Sequence, residues 1–512
     1  MVNLSISRRG WGAALFVAFA ASRLAGLGRL PMFLDESLHI SWAMYVADGE
    51  WLGRPWAHGR AVQVFVNALL FPWVGDHYLW ASRILTAGFG AVTLLAILGL
   101  GRRLYDDTTA VVAGWLYIFC PMTLFYDRLV MADPVMSTFV ALFLLASARA
   151  AQSGRVRDGL LAGPPGALAV LSKASGVLLL FVPVAAWFAL SRPLRRGLPA
   201  LGAALAATFA LVGWPLWRFL EASHSMAERN VGGGLAGSLD RVILNLHLIA
   251  DWFPGWWTLP VLLLALGGAA VALARRDGPG SYLAAAGLVP LAFLVVTATF
   301  WYPRYILYAA VPGVLLAARA LVVIVFVSTR HLGTPPGARR HALLAVATAL
   351  VLVPSLRSDV WLWTDPTRAA MPGLERLQFV DGWPSGYGVR DTVRFIQDEL
   401  ARHPAGLTVV VNSRAHLTTR VALGVAFRRE RALRLEDLPL GRVDSVPLLA
   451  GWAAEQPTLV VVSPVPYGRE RPSAIPWAPL GAKLVLETRK PNGDLCDEVY
   501  RLAPPPARLA AR

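Results

Sequence analysis

Two adjacent carboxylates, Asp35 and Glu36, directly follow the first long apolar stretch of the chain. Charged side chains at the end of a membrane-crossing segment usually carry a function, because placing charge near lipid is unfavourable. A carboxylate in that position can take a proton from a hydroxyl group or bind a cation. The same pair could instead start a helix through residues 37–47, where negative charge favours the positive end of the helix dipole. The two interpretations are compatible.

Other ionisable residues stand beside later apolar stretches. Asp133 precedes Pro134 and could cap the next helix, or lie beside the first carboxylates with Arg128 near an anionic ligand. Lys173 lies between two apolar stretches, where it either extends its amine to water or neutralises a phosphate group. Arg304 opens another apolar stretch and could anchor the membrane interface or bind a phosphate through two hydrogen bonds.

A loop rich in glycine and aromatic residues, residues 381–388, precedes a predicted helix. Trp383 and Tyr387 in this loop offer flat apolar faces on which a sugar ring can stack. The loop could equally be a simple connection into the helix. It is a candidate substrate-binding loop that closes over a site at the membrane surface.

The composition indicates what kind of protein positions these residues. Of the 512 residues, 56% are hydrophobic and 16% are charged, whereas a soluble protein has about a quarter charged residues. The mean hydropathy is +0.52. The net charge of +16 comes largely from arginines in small groups between apolar stretches, which is typical of membrane-topology signals rather than of nucleic-acid-binding surfaces. These features predict a polytopic α-helical membrane protein.

About eleven apolar stretches are candidate membrane spans, several of them shorter than the roughly 20 residues that a perpendicular helix needs. They are residues 10–30, 79–100, 109–125, 134–148, 159–171, 174–190, 198–220, 256–274, 281–300, 305–327 and 342–356. With the N-terminus in the cytoplasm, every cytoplasmic connection in this count contains arginine, as the positive-inside rule requires. The first stretch has no small-residue cleavage site followed by a soluble domain, and we interpret it as a retained helix.

This topology places the ionisable candidates on the external side of the membrane. The first external loop, residues 31–78, contains a short apolar segment at residues 61–73 that fits a helix lying in the membrane interface. Asp133, Lys173 and Arg304 fall on the same external side as this loop. One pocket could therefore hold both a base and a group of phosphate-binding cations.

The hydropathy falls after the last span. Two short Val-rich segments, residues 407–411 and 458–462, are typical of buried strands, and Asn492-Gly493 marks a hairpin turn. The sequence therefore predicts a membrane domain, residues 1–356, followed by a small external α/β domain, residues 357–512.

Common metal and nucleotide signatures are missing from the sequence, which contains no HExxH, paired CxxC or Walker motif. Without a nucleotide-binding loop, a group transferred at the external face must arrive on another carrier. The two cysteines, Cys120 and Cys496, lie in an apolar stretch and in the polar C-terminal part, so no disulfide between them is predicted.

Together these residues resemble the polytopic C-type (GT-C) glycosyltransferases. The resemblance is to the bacterial relatives of the dolichyl-phosphate-mannose protein mannosyltransferases and to the aminoarabinose transferases, glycosyltransferase families 39 and 83. It covers nearly all of the predicted membrane domain. It rests on the order of a few motifs along the chain and on the side of the membrane where each is predicted to lie. These are Asp35-Glu36, Arg128 with Asp133-Pro134, Lys173, Arg304-Tyr305 and the loop at residues 382–388.

The resemblance implies a polyprenyl-phosphate-linked sugar as donor and transfer with inversion at the external face. Asp35 would be the base that deprotonates the acceptor hydroxyl, with Glu36 beside it. Lys173 and Arg304 would stabilise the phosphate leaving group, whose charge grows in the transition state. The other implied roles are donor-phosphate binding by Arg128 and Tyr305, substrate binding by Asp133, His39, Trp383 and Tyr387, and, if a divalent metal takes part, ligation by Asp35, Glu36 and Asp133. The implied acceptor is a protein, a lipid or a glycan.

One residue departs from the family pattern. Asp127 lies next to Arg128, where many relatives have a small or neutral residue. Pairing between the two side chains would weaken Arg128 as a phosphate ligand.

The alternative function is a transporter or flippase of a lipid-linked anion. A transporter places ionisable residues near the bilayer midplane and often has repeated halves. Here the ionisable residues collect at one predicted surface, and we find no internal repeat. A third hypothesis is a scaffold whose external domain binds glycans. The pattern favours the glycosyltransferase.

Overall fold

A computed structural model describes residues 8–52, 56, 58–222, 239–332, 337–411, 417–438, 445–463 and 480–503. The chain divides into two compact units. The membrane unit consists of Met1–Leu27, Tyr45–Pro72 and Trp80–Pro372, and the C-terminal unit consists of Gly28–Met44, Trp73–Leu79 and Gly373–Arg512.

Helices make up most of the described chain. In chain order they are α1 (Arg8–Leu24), α2 (Leu34–Ala47), α3 (Ala61–Leu70), α4 (Tyr78–Leu104), α5 (Asp107–Ile118), α6 (Pro121–Tyr126), α7 (Ala132–Ser153), α8 (Val156–Ser172), α9 (Val182–Leu190), α10 (Leu194–Ala222), α11 (Leu239–Trp257), α12 (Leu259–Ala274), α13 (Gly278–Thr297), α14 (Ala310–His331), α15 (Ala338–Thr364), α16 (Gly373–Arg376), α17 (Val389–Arg402), α18 (Leu417–Ala426) and α19 (Ser445–Glu455). Short 3₁₀ segments at Ala174–Leu179 and Pro303–Ala309 precede α9 and α14.

Six helices in the described part of the chain are long and apolar enough to cross a membrane. They are Tyr78–Leu104, Ala132–Ser153, Leu194–Trp217, Gly278–Thr297, Pro303–His331 and Ala338–Thr364. A seventh span results if α11 and α12, which meet at a bend of 114°, are taken as one. Exposed leucines and valines along α12 and α15 are what lipid-facing helices present. The predicted multi-pass helical architecture is confirmed, and the count of about eleven spans stays a prediction.

The bend between α11 and α12 has a local cause. Thr258 joins the two helices with a φ of 60°, and Pro260 follows within the first turn of α12. A proline near a helix start has no amide hydrogen to donate to a preceding turn, so it fits where one helix stops and the next begins.

The sheet lies in the C-terminal unit and has the strand order β2-β1-β3-β5-β4. Its strands are β1 (Leu407–Val411), β2 (Leu433–Asp437), β3 (Thr458–Val462), β4 (Lys483–Arg489) and β5 (Leu495–Arg501). β1 pairs in parallel with β2 and β3, while β5 runs antiparallel to β3 and β4. The predicted buried strands, now β1 and β3, are confirmed and lie side by side at the centre of the sheet.

Helices cover both faces of this sheet. Val410, Val460 and Val462 pack with Leu449 of α19, while Val409 and its neighbours pack on the other face with α17 and α18. The predicted hairpin is also confirmed, because Gly493 has a φ of 89° in the turn between β4 and β5. A residue with a side chain rarely adopts that conformation, so glycine suits the turn.

The segment of the first loop that contains the paired carboxylates belongs to the C-terminal unit. Gly28–Met44 groups with Gly373–Arg512, although the two segments are far apart in the chain. The sequence-based boundary between residues 356 and 357 marks where the apolar stretches end and stays a prediction. Hydropathy does not show that Gly28–Met44 belongs to the same compact unit as Gly373–Arg512.

Candidate active site

Lys173 is the centre of a charged cluster in the membrane unit. It follows the last residue of α8, and its side chain is buried, with 8% of the residue exposed. Its Nζ donates to the Oδ1 of Asp133 at 2.5 Å. Asp133 lies in the first turn of α7, where the helix dipole favours a negative charge. The carboxylate therefore holds the amine in a fixed place.

Aromatic rings hold two cations of the same cluster. The Nζ of Lys173 lies 3.7 Å from the ring centre of Tyr305, and the guanidinium carbon of Arg304 lies 4.3 Å from the ring centre of Tyr302. Arg304 and Tyr305 come from the 3₁₀ segment before α14. A cation over an aromatic face is attracted by the ring without being neutralised by it, so its charge stays available to an anion.

Other positive side chains lie near Lys173. Arg304 and Arg60 both lie close enough to repel the charge of Lys173, whereas Asp133 stabilises it. Lys173 stands in the turn between two apolar segments, and burial lowers its pKa to about 8. Two further cations thus lie near the Lys173–Asp133 pair, and such a group of cations is suited to binding an anion such as a phosphate.

An apolar groove lies beside Lys173. Its walls include Leu171 and Ala174, which flank the lysine in the chain. The other lining residues include Trp56 and, from α10, Pro215 and Leu216. Such walls favour contact with a hydrocarbon group, because burying apolar surface is favourable.

Arg128 lies in a second charged cluster of the membrane unit. One guanidinium nitrogen, Nη1, approaches the carbonyl oxygen of Leu362 at 3.4 Å, and Nε has no hydrogen-bond partner within the described ranges. Asp359 of α15 is fully buried, and neither of its carboxylate oxygens has a hydrogen-bond partner in the described part of the chain. Arg128 and Arg23 are its electrostatic partners. The assignment of Arg128 to phosphate binding stays a prediction.

The expected pairing of Asp127 with Arg128 is wrong. The carboxylate of Asp127 accepts hydrogen bonds from Arg23, at 3.1 Å from Nη2, and from the hydroxyl of Tyr117 at 2.9 Å. Asp127 ends the short helix α6 with a helical backbone, which directs its side chain toward α1 and α5. Neighbours in sequence project in different directions from such a turn. Arg128 is therefore not neutralised by the residue that precedes it.

The two carboxylates of the opening motif differ in their surroundings. Both lie in the first turn of α2. Glu36 is fully buried, and its Oε2 accepts a hydrogen bond from the backbone N–H of Phe33 at 3.0 Å. That bond satisfies an otherwise unpaired amide at the helix start, as in a capping box. Asp35 is partly exposed. The helix-capping interpretation thus applies to Glu36, and Asp35 is the carboxylate that a substrate can reach.

The other predicted substrate-binding residues of the C-terminal unit lie near α2. His39 is fully buried in α2, with its ring centre 5.6 Å from that of Trp42. Trp383 and Tyr387 are partly exposed. Their loop contacts the start of α2, because the backbone N–H of Leu34 donates to the carbonyl oxygen of Pro384 at 3.0 Å.

The structure thus brings the predicted site residues together in two groups, each inside one unit. The group in the membrane unit is Asp133, Lys173, Arg304 and Tyr305, and the group in the C-terminal unit is Asp35, Glu36, His39, Trp383 and Tyr387. Sequence reasoning missed Arg60, which precedes the segment predicted to lie in the membrane interface, and Asp359, which lies beyond the predicted end of the last span. No three His, Cys, Asp or Glu side chains are grouped to hold a metal ion among the residues that the structure describes.

Comparison with known proteins finds a matching family model and structures of the same fold. The family model for dolichyl-phosphate-mannose-protein mannosyltransferases matches residues 61–217. The predicted resemblance to the C-type glycosyltransferases is confirmed. The matched segment runs from α3 to α10 and includes Asp133 and Lys173. No protein of curated function matches the chain in sequence.

Solved structures show the same fold over nearly the whole chain. ArnT from Cupriavidus metallidurans in the apo state is 16% identical, with 98% of this chain and 99% of that chain covered and a TM-score of 0.62. The same protein bound to undecaprenyl phosphate is 14% identical, with 98% of each chain covered and a TM-score of 0.58. The Archaeoglobus fulgidus oligosaccharyltransferase is 13% identical, with 88% of this chain and 69% of that chain covered and a TM-score of 0.50. At these identities the likeness concerns the fold.

Proposed function

We propose that the protein is a polyprenyl-phosphate-sugar-dependent glycosyltransferase that transfers a sugar, with inversion, to an acceptor hydroxyl at the external face of the membrane. The observation that carries this proposal is the Lys173 cluster: the buried cations Lys173 and Arg304, with Arg60 near them, beside an apolar groove. A lipid-linked phosphate has the same two parts, an anion and a hydrocarbon chain. The family-model match and the fold shared with a protein bound to undecaprenyl phosphate support the same class of donor.

In the transfer step, the bond between the anomeric carbon and the phosphate oxygen breaks, and its electron pair stays on the phosphate. Lys173 and Arg304 stabilise the charge that grows there, with Tyr305 and Tyr302 holding the two cations. Such pre-positioned charges are usually the largest contribution to catalysis, because they need no rearrangement during the reaction. Asp133 orients Lys173, and Arg128 assists in binding the donor phosphate.

The acceptor oxygen attacks the anomeric carbon from the side opposite the phosphate, which inverts the configuration. Asp35 accepts the hydroxyl proton as general base. Glu36 supports it by fixing the start of α2 through its bond to Phe33. His39, Trp383 and Tyr387 contribute to substrate binding, the two aromatic residues by stacking on a sugar.

The topology completes the proposal. Residues 1–356 form a membrane domain of about eleven spans with a cytoplasmic N-terminus, and residues 357–512 form an external domain. The arginine groups at every predicted cytoplasmic connection support this orientation. The acceptor is a protein, a lipid or a glycan of the cell envelope.

Mass spectrometry of the lipids that copurify with the full-length protein tests the donor class. We expect a polyprenyl phosphate or its sugar conjugate, retained by the wild type and reduced in Lys173→Met. Incubation of purified protein with a polyprenyl-phosphate sugar should release polyprenyl phosphate in the presence of acceptor. Movement of an intact lipid-linked sugar across a vesicle membrane, without cleavage, would instead support the transporter.

A further inference from the structure

We propose that Lys490 is a positioning residue for Asp35, acting through the connecting loop, which we define as residues 382–388. The proposal rests on the role of Asp35 as general base in the proposed function. Every contact in the argument lies inside the C-terminal unit. Lys490 does not touch the reacting atoms in this proposal, and it acts by fixing the backbone that carries the base.

Lys490 holds one side of the connecting loop. It follows β4, and the hairpin turn fixes its backbone, since its N–H donates to Asp494 and its carbonyl accepts from Gly493, both at 2.9 Å. Its side chain is buried, with 7% of the residue exposed. The Nζ donates to the carbonyl oxygen of Gly382 at 2.7 Å and lies 3.4 Å from the Oγ of Ser385. One ammonium group therefore bridges two acceptors in the loop.

The other side of the connecting loop holds the segment that leads into α2. The carbonyl oxygen of Pro384 accepts the backbone N–H of Leu34, the residue directly before Asp35. Gly386 lies against the backbone of Met32 so closely that a Cβ atom there would overlap its carbonyl oxygen. Lys490 is thus connected to Asp35 through the loop. It contacts Gly382 and Ser385, and Pro384, which lies between them, accepts the N–H of Leu34, the neighbour of Asp35.

Further contacts show that the C-terminal residues hold this segment along its length. The ring of Phe33 lies 4.3 Å from that of Phe379, measured between ring centres. Arg390 donates from Nη2 to the carbonyl oxygens of Gly28 and Arg29 at 2.9 and 3.2 Å. Met32 packs on a buried cluster that includes Cys496 of β5. The start of α2 is therefore built against the hairpin, the loop and α17 rather than standing free.

An ammonium group is suited to this position. Lysine offers three donors and can satisfy several oxygens that converge from one loop. Removing it leaves the carbonyl of Gly382 without that donor and the loop without one of its links to the hairpin. A displacement of about 1 Å at a catalytic group can lower a rate by about 10²-fold, so a small shift of Asp35 is expected to affect turnover.

The test compares Lys490→Met with Lys483→Met in the full-length protein reconstituted in lipid. Methionine keeps an unbranched side chain of similar length and removes the charge and the donors. Lys483 lies on the same hairpin and is exposed. We expect Lys490→Met to lower kcat about tenfold or more, while KM for a polyprenyl-phosphate sugar stays within about twofold, because the donor phosphate is assigned to the Lys173 cluster. Lys483→Met should leave both constants unchanged.

Hydrogen exchange gives a readout that needs no turnover. In Lys490→Met we expect faster exchange over residues 28–40, with unchanged protection in β1 and β3. Ser385→Ala keeps the bond from Lys490 to Gly382 and removes the weaker contact together with the hydrogen bond from the Ser385 hydroxyl to the carbonyl oxygen of Val380. It should give a smaller effect of the same kind, which keeps the test valid if Lys490→Met folds poorly. An equal loss of protection across β1 and β3 in both variants would contradict a positioning role.

The outcomes separate this proposal from the proposed function. A wild-type protein that releases no polyprenyl phosphate from any lipid-linked sugar would contradict the proposed function, and with it the positioning role. A wild-type protein that transfers sugar, together with a Lys490→Met protein that keeps both its kcat and the protection of residues 28–40, would contradict only the positioning of Asp35.

Discussion

The Lys173 cluster and the Asp35 segment carry the two halves of the proposed chemistry, and they are held in different ways. Side chains fix the Lys173 cluster: a carboxylate binds the amine directly, and tyrosine rings lie against the cations. The Asp35 segment is held mainly at its backbone, through the carbonyl of Pro384, the close approach of Gly386 and the bonds from Arg390 to two of its carbonyl oxygens. The first arrangement depends on the identity of a few charged residues, whereas the second depends on the shape of a loop.

This difference has consequences for mutation. Changing one charged side chain in the Lys173 cluster removes both a charge and the partner of a neighbour, so large effects on donor binding and on the chemical step are expected. Changing the support of Asp35 leaves the carboxylate in place and shifts it slightly. Such changes are expected to affect kcat more than the KM for the donor.

The largest effect is expected for Asp35→Asn. The amide cannot accept the acceptor proton at neutral pH, and loss of a general base typically costs about 10²–10⁴-fold in rate. A transfer assay with a polyprenyl-phosphate sugar measures this, and melting of the purified protein should stay close to the wild type because Asp35 is partly exposed. Glu36→Gln is the matched control.

Glu36→Gln keeps a hydrogen-bond acceptor for the N–H of Phe33, so its rate should fall far less than that of Asp35→Asn. Equal and near-normal rates in both variants would show that neither carboxylate is the base. An inactive Glu36→Gln protein together with an active Asp35→Asn protein would show that Glu36, and not Asp35, is the general base.

The next largest effect is expected for Lys173→Met. It removes a buried positive charge from the site of the leaving phosphate and leaves Asp133 without its partner. We expect kcat/KM to fall about 10²–10³-fold, the range seen when one stabilising donor is removed from a transition-state charge. Lys173→Arg should recover part of the loss because it keeps the charge. Lys483→Met, an exposed lysine replaced in the same way, should behave as the wild type.

Much of the fold could be predicted from the sequence, because apolar stretches and strand patterns are local signals. The helical membrane part, the buried strands β1 and β3 and the β4–β5 hairpin were all predicted correctly. The helix that contains the last predicted span, α15, continues to Thr364, beyond residue 356, because Arg357 and Asp359 lower the hydropathy without ending the helix. Asp359 was missed for that reason.

The candidate site was predicted less completely. Lys173, Arg304 and Asp133 are ionisable residues beside apolar stretches, and that pattern is visible in the chain. The contact between Pro384 and Leu34 is not, because a backbone hydrogen bond between distant segments leaves no mark on residue type. Asp127 shows the opposite error, since adjacency in sequence predicted a pair with Arg128 that the turn after α6 prevents.

A smaller effect is expected at alkaline pH, from the Lys173 cluster. Burial lowers the pKa of Lys173 to about 8, so the amine loses its proton, and with it the charge that binds phosphate, as the pH rises through that value. We expect kcat/KM for the donor to fall by up to about tenfold per pH unit above it. In Lys173→Arg this fall should disappear, because arginine stays protonated. A decline at the same pH in both proteins would assign the titration to another group.

The smallest effect is expected for Gly386→Ala, which changes no charge. The new Cβ would overlap the carbonyl oxygen of Met32, so the segment before Asp35 must shift by a few tenths of an ångström or more. We expect a severalfold drop in kcat with an unchanged KM for the donor, because the Lys173 cluster is untouched. Gly424→Ala is the control: it lies in α18, where a new methyl group would meet no described atom within 4 Å, so alanine should be neutral or slightly stabilising there. A raised donor KM with normal kcat in Gly386→Ala would show instead that the connecting loop contributes to donor binding. The Lys173 cluster and the Asp35 segment would then share a role in donor binding, and they would differ only in where they lie in the chain.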